Sequence, residues 1–351
     1  MQLEEVVRQI QPLDEQSMIS ARIRQDMLTK PNGSLGRLEE LSIQLAGITA
    51  NPSPSVERKA VIVMAADHGV TREGVSAYPS EVTPQMVLNF LHGGAAINVL
   101  ARQSNARVVI VDMGVASEIS DASLELVRRK IGRGTANMAQ GPAMTRAQAV
   151  QAIQSGIEIT EAEIAQGVEI LATGDMGIGN TTPSAAIACA FMNQSPEMIV
   201  GRGTGVDDAG FKRKINVIRR ALELNKPNAN DALDVLAKVG GFEIGGLVGV
   251  MLAAAANRKP VVIDGFISTA AAMIATSLAS VARDYMIAAH VSQERGHRLM
   301  LEWLGLKPLL DLNMRLGEGT GAVLAFHLIE ASTRILREMA TFREASVSDK
   351  E

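Results

Sequence analysis

Two hydrophobic patterns alternate along the chain. The first is a set of short, unbroken apolar runs at residues 60–66, 106–111, 169–173 and 260–263, with a weaker one at 285–289. Continuous apolar runs this short are the mark of strands covered on both faces, as in a parallel sheet. The second is apolar residues at helical spacing, over 84–102, 146–166 and 183–192 between the runs. Before the first run, Leu3, Val6, Val7, Ile10, Leu13, Met18, Ile19, Ile23 and Met27 keep the same spacing. Pro12 divides them into two helices. A turn-rich segment at 29–37 precedes a third helix ending near Ile48, and 51–55 is a loop. A long helix over 321–341 and a charged tail close the chain. The alternation predicts an α/β fold: a mostly parallel, Rossmann-like sheet flanked by helices. Residues 56–320 form a large α/β domain in this reading, and 1–55 with 321–345 form a small helical subdomain beside it.

Polar residues gather where the apolar runs end. Asp67, Asp112, Asp175 and Asp264 each follow a run and lie close to a glycine, and the weaker run leads to His290 and Ser292. Ligands of parallel sheets bind at this edge. One aspartate there is more often a cap or a turn residue. Four at one edge predict a polar site in which some are caps and others functional. Three glycine loops belong to the same edge. In 174–182, Gly177 and Gly179 free the backbone, Asn180 stands at an N-cap position, and Thr181 and Thr182 offer hydroxyls. Pro183 suits the first helical turn that follows, which makes an anion-friendly helix start. In 201–208, Gly201, Gly203 and Gly205 alternate with Arg202 and Thr204, and Lys214 follows on the next helix. That composition suits a phosphate. In 315–321, Glu318 is framed by Gly317, Gly319 and Gly321 ahead of an apolar stretch. Glycines there permit positive φ or close approach of a ligand. Glu318 reads either as a general base facing a cleft or as an acid stabilising a helix start.

Composition narrows the function. The chain has 351 residues, 47% hydrophobic and 21% charged, which describes a globular protein of two domains or of one domain with an appendage. Aromatics at 3%, a net charge of −4 and the absence of a basic block argue against a nucleic-acid partner. The single cysteine, Cys189, lies in an apolar stretch, and the N-terminus is too acidic for a signal peptide. Together they predict a reducing, cytoplasmic setting. The longest uncharged apolar run, 266–282, falls short of a membrane span and reads as a buried helix. The histidines, at 68, 92, 290, 297 and 327, show no paired ligand spacing, so no metal is expected. His68 beside Asp67 reads equally as a ligand contact or a structural histidine. No phosphate loop of the GxxxxGK[ST] kind, dinucleotide fingerprint in its usual setting or GxSxG elbow occurs. The residues therefore imply an enzyme that binds a small phosphorylated ligand in glycine loops and uses a carboxylate base, without a cofactor.

Several segments, taken in order, carry a resemblance. They are Lys30-Pro31-Asn32-Gly33-Ser34-Leu35-Gly36, Ala66-Asp67-His68-Gly69-Val70, Gly141-Pro142-Ala143-Met144 and Gly177-Ile178-Gly179-Asn180-Thr181-Thr182-Pro183. Lys238-Val239-Gly240-Gly241-Phe242, Asp264-Gly265-Phe266 and Arg315-Leu316-Gly317-Glu318-Gly319 come after them. The series resembles the nicotinate-nucleotide:dimethylbenzimidazole phosphoribosyltransferase (CobT) family of cobalamin nucleotide-loop assembly. The resemblance implies transfer of the 5-phosphoribosyl group from nicotinate mononucleotide to 5,6-dimethylbenzimidazole. The products would be α-ribazole 5′-phosphate and nicotinate, formed with inversion and without a metal. It implies that Glu318 is the catalytic base, with a pKa raised toward neutrality, and that Asp175 is a second carboxylate. Gly201, Gly203, Thr204, Gly205 and Lys214 would hold the 5′-phosphate. Gly177, Asn180 and Thr181 would lie along the ribose and the leaving nicotinate. Asp264, Ser292 and Arg315 would complete the substrate contacts, the last two on phosphate or carboxylate. Residues 76–86 would line the benzimidazole slot, with Tyr78 and Gln85 as its contacts. Tyr78 stands where some members carry serine, and Asp175 where glutamate is frequent. The family also implies a homodimer. Two rivals remain: a phosphoribosyltransferase for another azole, and a non-catalytic nucleotide-binding protein, against which Glu318 argues.

Overall fold

The computed structural model describes residues 1–119, 125–203 and 205–348. Its strands are β1 (Lys59–Ala66), β2 (Ala106–Gly114), β3 (Leu126–Arg128), β4 (Ile170–Met176), β5 (Val261–Ile263) and β6 (Met286–Ala288). They form one sheet in the order β3-β2-β1-β4-β5-β6, with every pairing parallel. The five apolar runs are five of these strands. The sixth, β3, has no counterpart in the apolar pattern. It is a partly exposed edge strand of three residues, paired only with β2. An edge strand open to water has no need of a continuous apolar run.

Side chains of β1 alternate between two cores with the period of a strand. Ala60, Ile62, Met64 and Ala66 enter one core, shared with the helices Arg146–Ala165, Thr181–Met192, Phe242–Ala256 and Phe266–Leu278. Val61, Val63 and Ala65 enter the other, shared with Arg37–Thr49, Val82–Leu91, Ala96–Gln103 and Thr320–Glu338. Helices thus cover both faces, which keeps β1 and β4 buried at every residue. Chain order runs outward from β1 in one direction and from β4 in the other. The C-terminal edge beside that reversal is where an open parallel sheet leaves a crevice.

The helices depart from the sequence pattern in two places, and both bear on the site. The stretch 84–102 is two helices, Val82–Leu91 and Ala96–Gln103, divided at Gly93 (φ +77) and Gly94. Asn98 closes the break by accepting from the Ala95 amide and donating to the Phe90 carbonyl. The last helix, Thr320–Glu338, serves two neighbourhoods. Val323, Phe326 and Ile329 pack on the sheet. Its far end meets the helices Glu15–Met27 and Arg37–Thr49, where Ala21, Ala46 and Leu336 form a small cluster of their own. Arg24 donates to the carbonyls of Leu336, Arg337 and Met339, satisfying a helix C-terminus. None of the described helices is long and apolar enough to cross a membrane.

The helices Arg146–Ala165 and Phe242–Ala256 cross in near backbone contact. A Cβ on Gly156 would stand 2.0 Å from the Gly246 carbonyl oxygen, and one on Gly249 would stand 2.0 Å from that of Ile153. Gly249→Ala is therefore expected to destabilise the protein by about 3 kcal/mol, the upper end for an overpacked core. Gly141→Ala, which meets nothing within 4 Å, should change stability by less than about 0.5 kcal/mol. Urea unfolding of the two variants beside the parent measures both.

Candidate active site

The site is built on a left-handed turn. Gly317 (φ +84), Glu318 (φ +64) and Gly319 (φ +88) succeed one another just before the helix Thr320–Glu338. For glutamate such a φ costs about 1–2 kcal/mol, so the surroundings must hold it. Asp264, at the end of β5, accepts from the Gly319 amide at 3.1 Å and the Ala322 amide at 3.0 Å. β4 and β1 pass directly beneath: a Cβ on Gly174 would lie 2.5 Å from the Glu318 carbonyl oxygen, and one on Gly319 would lie 2.7 Å from Val61 of β1 and 3.2 Å from the Thr173 carbonyl oxygen of β4. Only glycine lets strand and turn approach this closely.

Glu318 is thereby aimed away from its own helix. Against the larger effect of burial, the Ile97 backbone, at the N-terminus of the helix Ala96–Gln103, pulls the Glu318 pKa down. Its Oε2 is buried and has no partner among the described residues. Burial pushes its pKa up to about 7, outweighing the pull of Ile97, and the charge of Asp264 adds to the rise.

Glu318 lines a cleft of about 640 Å³ at the C-terminal ends of β4, β5 and β6. One group of lining residues is apolar. Tyr78, Val82 and Met86 stand opposite Met176 and Ile178, and the two segments are tied by the Ile178 amide donating to Thr83 Oγ1 at 3.1 Å. A second group is polar: Asn180, Thr181, Gly203, Ser292, Glu294 and Arg315. Arg315 donates to the Gly203 carbonyl at 2.9 Å, and Lys214 donates to Thr181 Oγ1 at 2.6 Å. Lys214 is 1% exposed. Burial brings its pKa down to about 8, and the nearby Glu294 carboxylate partly offsets this. Asp175 shares the wall with Glu318. Its Oδ2 accepts from the Asn180 amide group at 2.9 Å, while Oδ1 has no partner among the described residues. Burial first, then the charges of Asp264, Glu243 and Glu318, hold the Asp175 carboxyl well above the usual range. Two carboxyl groups displaced in this way on one wall are the arrangement expected of acid–base chemistry.

Of the residues singled out in the sequence, Glu318, Asp175, Tyr78, Gly177, Asn180, Thr181, Gly203, Ser292 and Arg315 all line the cleft. Lys214 stands behind Thr181. Gly201 and Gly205 border an adjoining depression that Glu294 and Arg315 also reach. Thr204 lies outside the described residues. Two expected contacts are not among the lining residues. Asp264 does not line the cleft, because its carboxylate is committed to the amides beneath Glu318. Gln85 is exposed. Val82 and Met86 of the same helix line the cleft, while Gln85 is not among the lining residues. Asn180 stands where an N-cap was expected, but its side chain is spent on Asp175 and makes no cap bond. Asp112 lies near the end of β2, and its carboxylate accepts from the amides of Gly114 and Val115.

Glu294 was missed by sequence reasoning. It is 7% exposed with an unpartnered Oε2. No motif surrounds it, and its only signal was its place just past β6. His297 was missed as well. Its Nδ1 accepts from the Ser292 amide at 2.8 Å, and its Nε2 lies 2.8 Å from Thr269 Oγ1, whose hydroxyl donates to the Gly265 carbonyl. The proton therefore sits on Nε2. Burial, with the charges of His290 and Arg298, brings the pKa down to about 3. This neutral imidazole fastens the loop after β6 to the helix after β5. Among the described residues no group of three or more His, Cys, Asp or Glu side chains is placed to hold a metal ion.

Fold and site together define the class. A family model described as phosphoribosyltransferase matches residues 10–347, and the chain belongs to that family. It is an enzyme of that class. A Roseiflexus sp. (strain RS-1) protein named nicotinate-nucleotide–dimethylbenzimidazole phosphoribosyltransferase is 62% identical over 348 residues, covering 99% of this chain and 98% of the relative. A protein of the same name from Chloroflexus aggregans is 61% identical over the same shares. The crystal structure of the enzyme of that name from Thermus thermophilus superposes with a TM-score of 0.91. The two are 48% identical, with 96% of this chain and all of that one covered.

The raised pKa of Glu318 fixes the direction of a pH effect. A general base must be unprotonated, so kcat/KM should fall as pH drops through about 7, read from a pH–rate profile. Stability should show the opposite cost. The unfolded chain releases this proton near 4.5 and the folded chain near 7, so folding favours the protonated carboxyl between those values. Glu318→Gln should therefore melt at a higher temperature than the parent at pH 8, and the difference should close as pH falls toward 4.5, measured by calorimetry.

Proposed function

We propose that this chain transfers the 5-phosphoribosyl group of nicotinate mononucleotide to 5,6-dimethylbenzimidazole, releasing nicotinate and α-ribazole 5′-phosphate. The observation that carries the reading is Glu318: a buried carboxylate with a free oxygen and a pKa of about 7, facing a cleft with an apolar and a polar group of walls. The full-length likeness to proteins of that name supports the same substrates.

In this reading the flat acceptor lies between Tyr78, Val82 and Met86 on one side and Met176 and Ile178 on the other. Its unprotonated ring nitrogen attacks C1′ of the ribose, and the C1′–N bond to nicotinate breaks, with its electron pair leaving on the nicotinate nitrogen. The acceptor's N–H proton passes to Glu318. Charge that develops on the ribose, as in glycoside cleavage, is stabilised by carboxylate nearby. Lys214 through Thr181, the Gly201–Gly205 loop and Arg315 face the 5′-phosphate. Binding both substrates in line supplies much of the acceleration, because orientation replaces a bimolecular encounter. Metal chemistry has no part in these steps. The same reading takes the chain as a cytoplasmic homodimer with no nucleic-acid or membrane partner.

Incubating the pure protein with both substrates and separating the products by chromatography tests the proposal. Nicotinate and α-ribazole phosphate should appear together. A different azole outrunning dimethylbenzimidazole would replace the acceptor, and nucleotide binding without any product would remove the catalytic reading. Glu318→Gln should lower kcat by about 100-fold or more, the usual worth of a general base, while calorimetry shows nearly unchanged affinity for nicotinate mononucleotide. Lys214→Met should act on the other substrate, raising KM for nicotinate mononucleotide by about tenfold or more, as expected for loss of a charged phosphate contact.

A further inference from the structure

Two of the sequence segments singled out above, 66–70 and 238–242, contribute nothing to the cleft lining, yet they meet directly behind it. His68, at the end of β1, places Nε2 2.8 Å from Glu243 Oε1, with the two side chains 1% and 0% exposed. Glu243 opens the helix Phe242–Ala256, immediately after the second segment. Its Oε2 has no partner among the described residues. Burial pushes the His68 pKa down, but the charge and hydrogen bond of Glu243, with Asp67, outweigh it, so the imidazole gains basicity.

The ring is a support for the cleft floor. A Cβ on Gly177 would stand 3.1 Å from His68 Nε2 and 2.4 Å from the Ala66 carbonyl oxygen. Gly177 therefore rests its bare side on the imidazole, while Met176 and Ile178 beside it line the cleft. Gly241 explains the other segment: a Cβ there would lie 2.6 Å from His68 Cε1 and 2.6 Å from Glu243 Oε2. Glycine is required because the pair fills the space of its side chain. Beside the pair, Thr83 Oγ1 receives the Ile178 amide at 3.1 Å, and the Asp67 carboxylate accepts from the Ala116 amide at 2.8 Å. A buried ion pair is a weak source of net stability, which leaves orientation as the better account of why this one stands here.

We propose that His68 and Glu243 are positioning residues whose hydrogen bond sets the height of the Met176-Gly177-Ile178 floor, and through it the fit of the aromatic acceptor. This rests on the acceptor placement given under the proposed function. In steady-state assays, Glu243→Ala raises KM for dimethylbenzimidazole by about tenfold, the scale expected when a supporting group is lost and a wall shifts by a fraction of an ångström. KM for nicotinate mononucleotide changes by no more than about twofold, because Gly177 is its one expected contact on this floor and its phosphate contacts lie on other loops. Glu243→Gln, which keeps an acceptor for His68, recovers most of the loss. Thermal unfolding of each variant separates misfolding from misplacement. If Glu243→Ala does not fold, His68→Gln gives the same split between substrates, since it keeps a donor for Glu243 but removes the ring beneath Gly177. Folded variants that raise both KM values equally, or neither, overturn the proposal. A parent protein that makes no product refutes the substrate reading instead. The floor is then read by calorimetric binding of dimethylbenzimidazole alone: weaker binding to the folded variants upholds it, and equal binding removes it.

Discussion

The Asp264 carboxylate is the contact on which the site depends. By taking the Gly319 and Ala322 amides it fixes the start of the last helix to the end of β5. The turn that precedes this helix must then run left-handed over β4, where Gly174 leaves no side chain in its way. Glu318 is held at the middle of that turn, in a conformation that a free chain would seldom adopt. The strain and the desolvation of the carboxylate are both local costs, and both are carried by burial elsewhere. This division between a strained site and a well-packed frame is typical of positions kept for function.

Electrostatics in the cleft follows from crowding. Asp175, Asp264, Glu243 and Glu318 lie close enough for their charges to act on one another. Each is tamed differently. Asp264 is bound by helix amides, Glu243 pairs with His68, and Asp175 is held by Asn180 with its pKa well above the ordinary range. Glu318 and Asp175 each keep an oxygen without a partner among the described residues, and both line the cleft. Asp175 has its other oxygen tied to Asn180. The proposed proton transfer falls to Glu318 because a pKa of about 7 suits a base working near neutrality.

The two cations of the cleft also differ in kind. Arg315 is anchored through a carbonyl and Lys214 through a threonine hydroxyl. Lys214 is buried behind Thr181, and burial, which disfavours the charged form, brings its pKa down to about 8. His297 plays no part in charge. It stays neutral and holds Ser292 in place by hydrogen bonds alone.

Much of this was legible from the chain itself. Apolar runs marked five of six strands, and the aspartate and glycine that end four of them marked the edge where the cleft lies. The reason is that a strand buried on both faces can contain little else. The glycines around Glu318 announced an unusual backbone. The partly exposed edge strand β3 left no such trace. Nor did the commitments of polar groups, because a hydrogen bond between distant residues is not written in local spacing. That the Asp264 carboxylate is committed to backbone amides, and that Gly177 and Gly241 must be glycine, came only from the way β1, β4 and β5 pack. Sequence determined which elements form and which polar residues reach the sheet edge. Tertiary packing decided which carboxylate oxygens are left without a partner among the described residues, those of Asp175, Glu243 and Glu318 among them, because that depends on neighbours brought in from all along the chain.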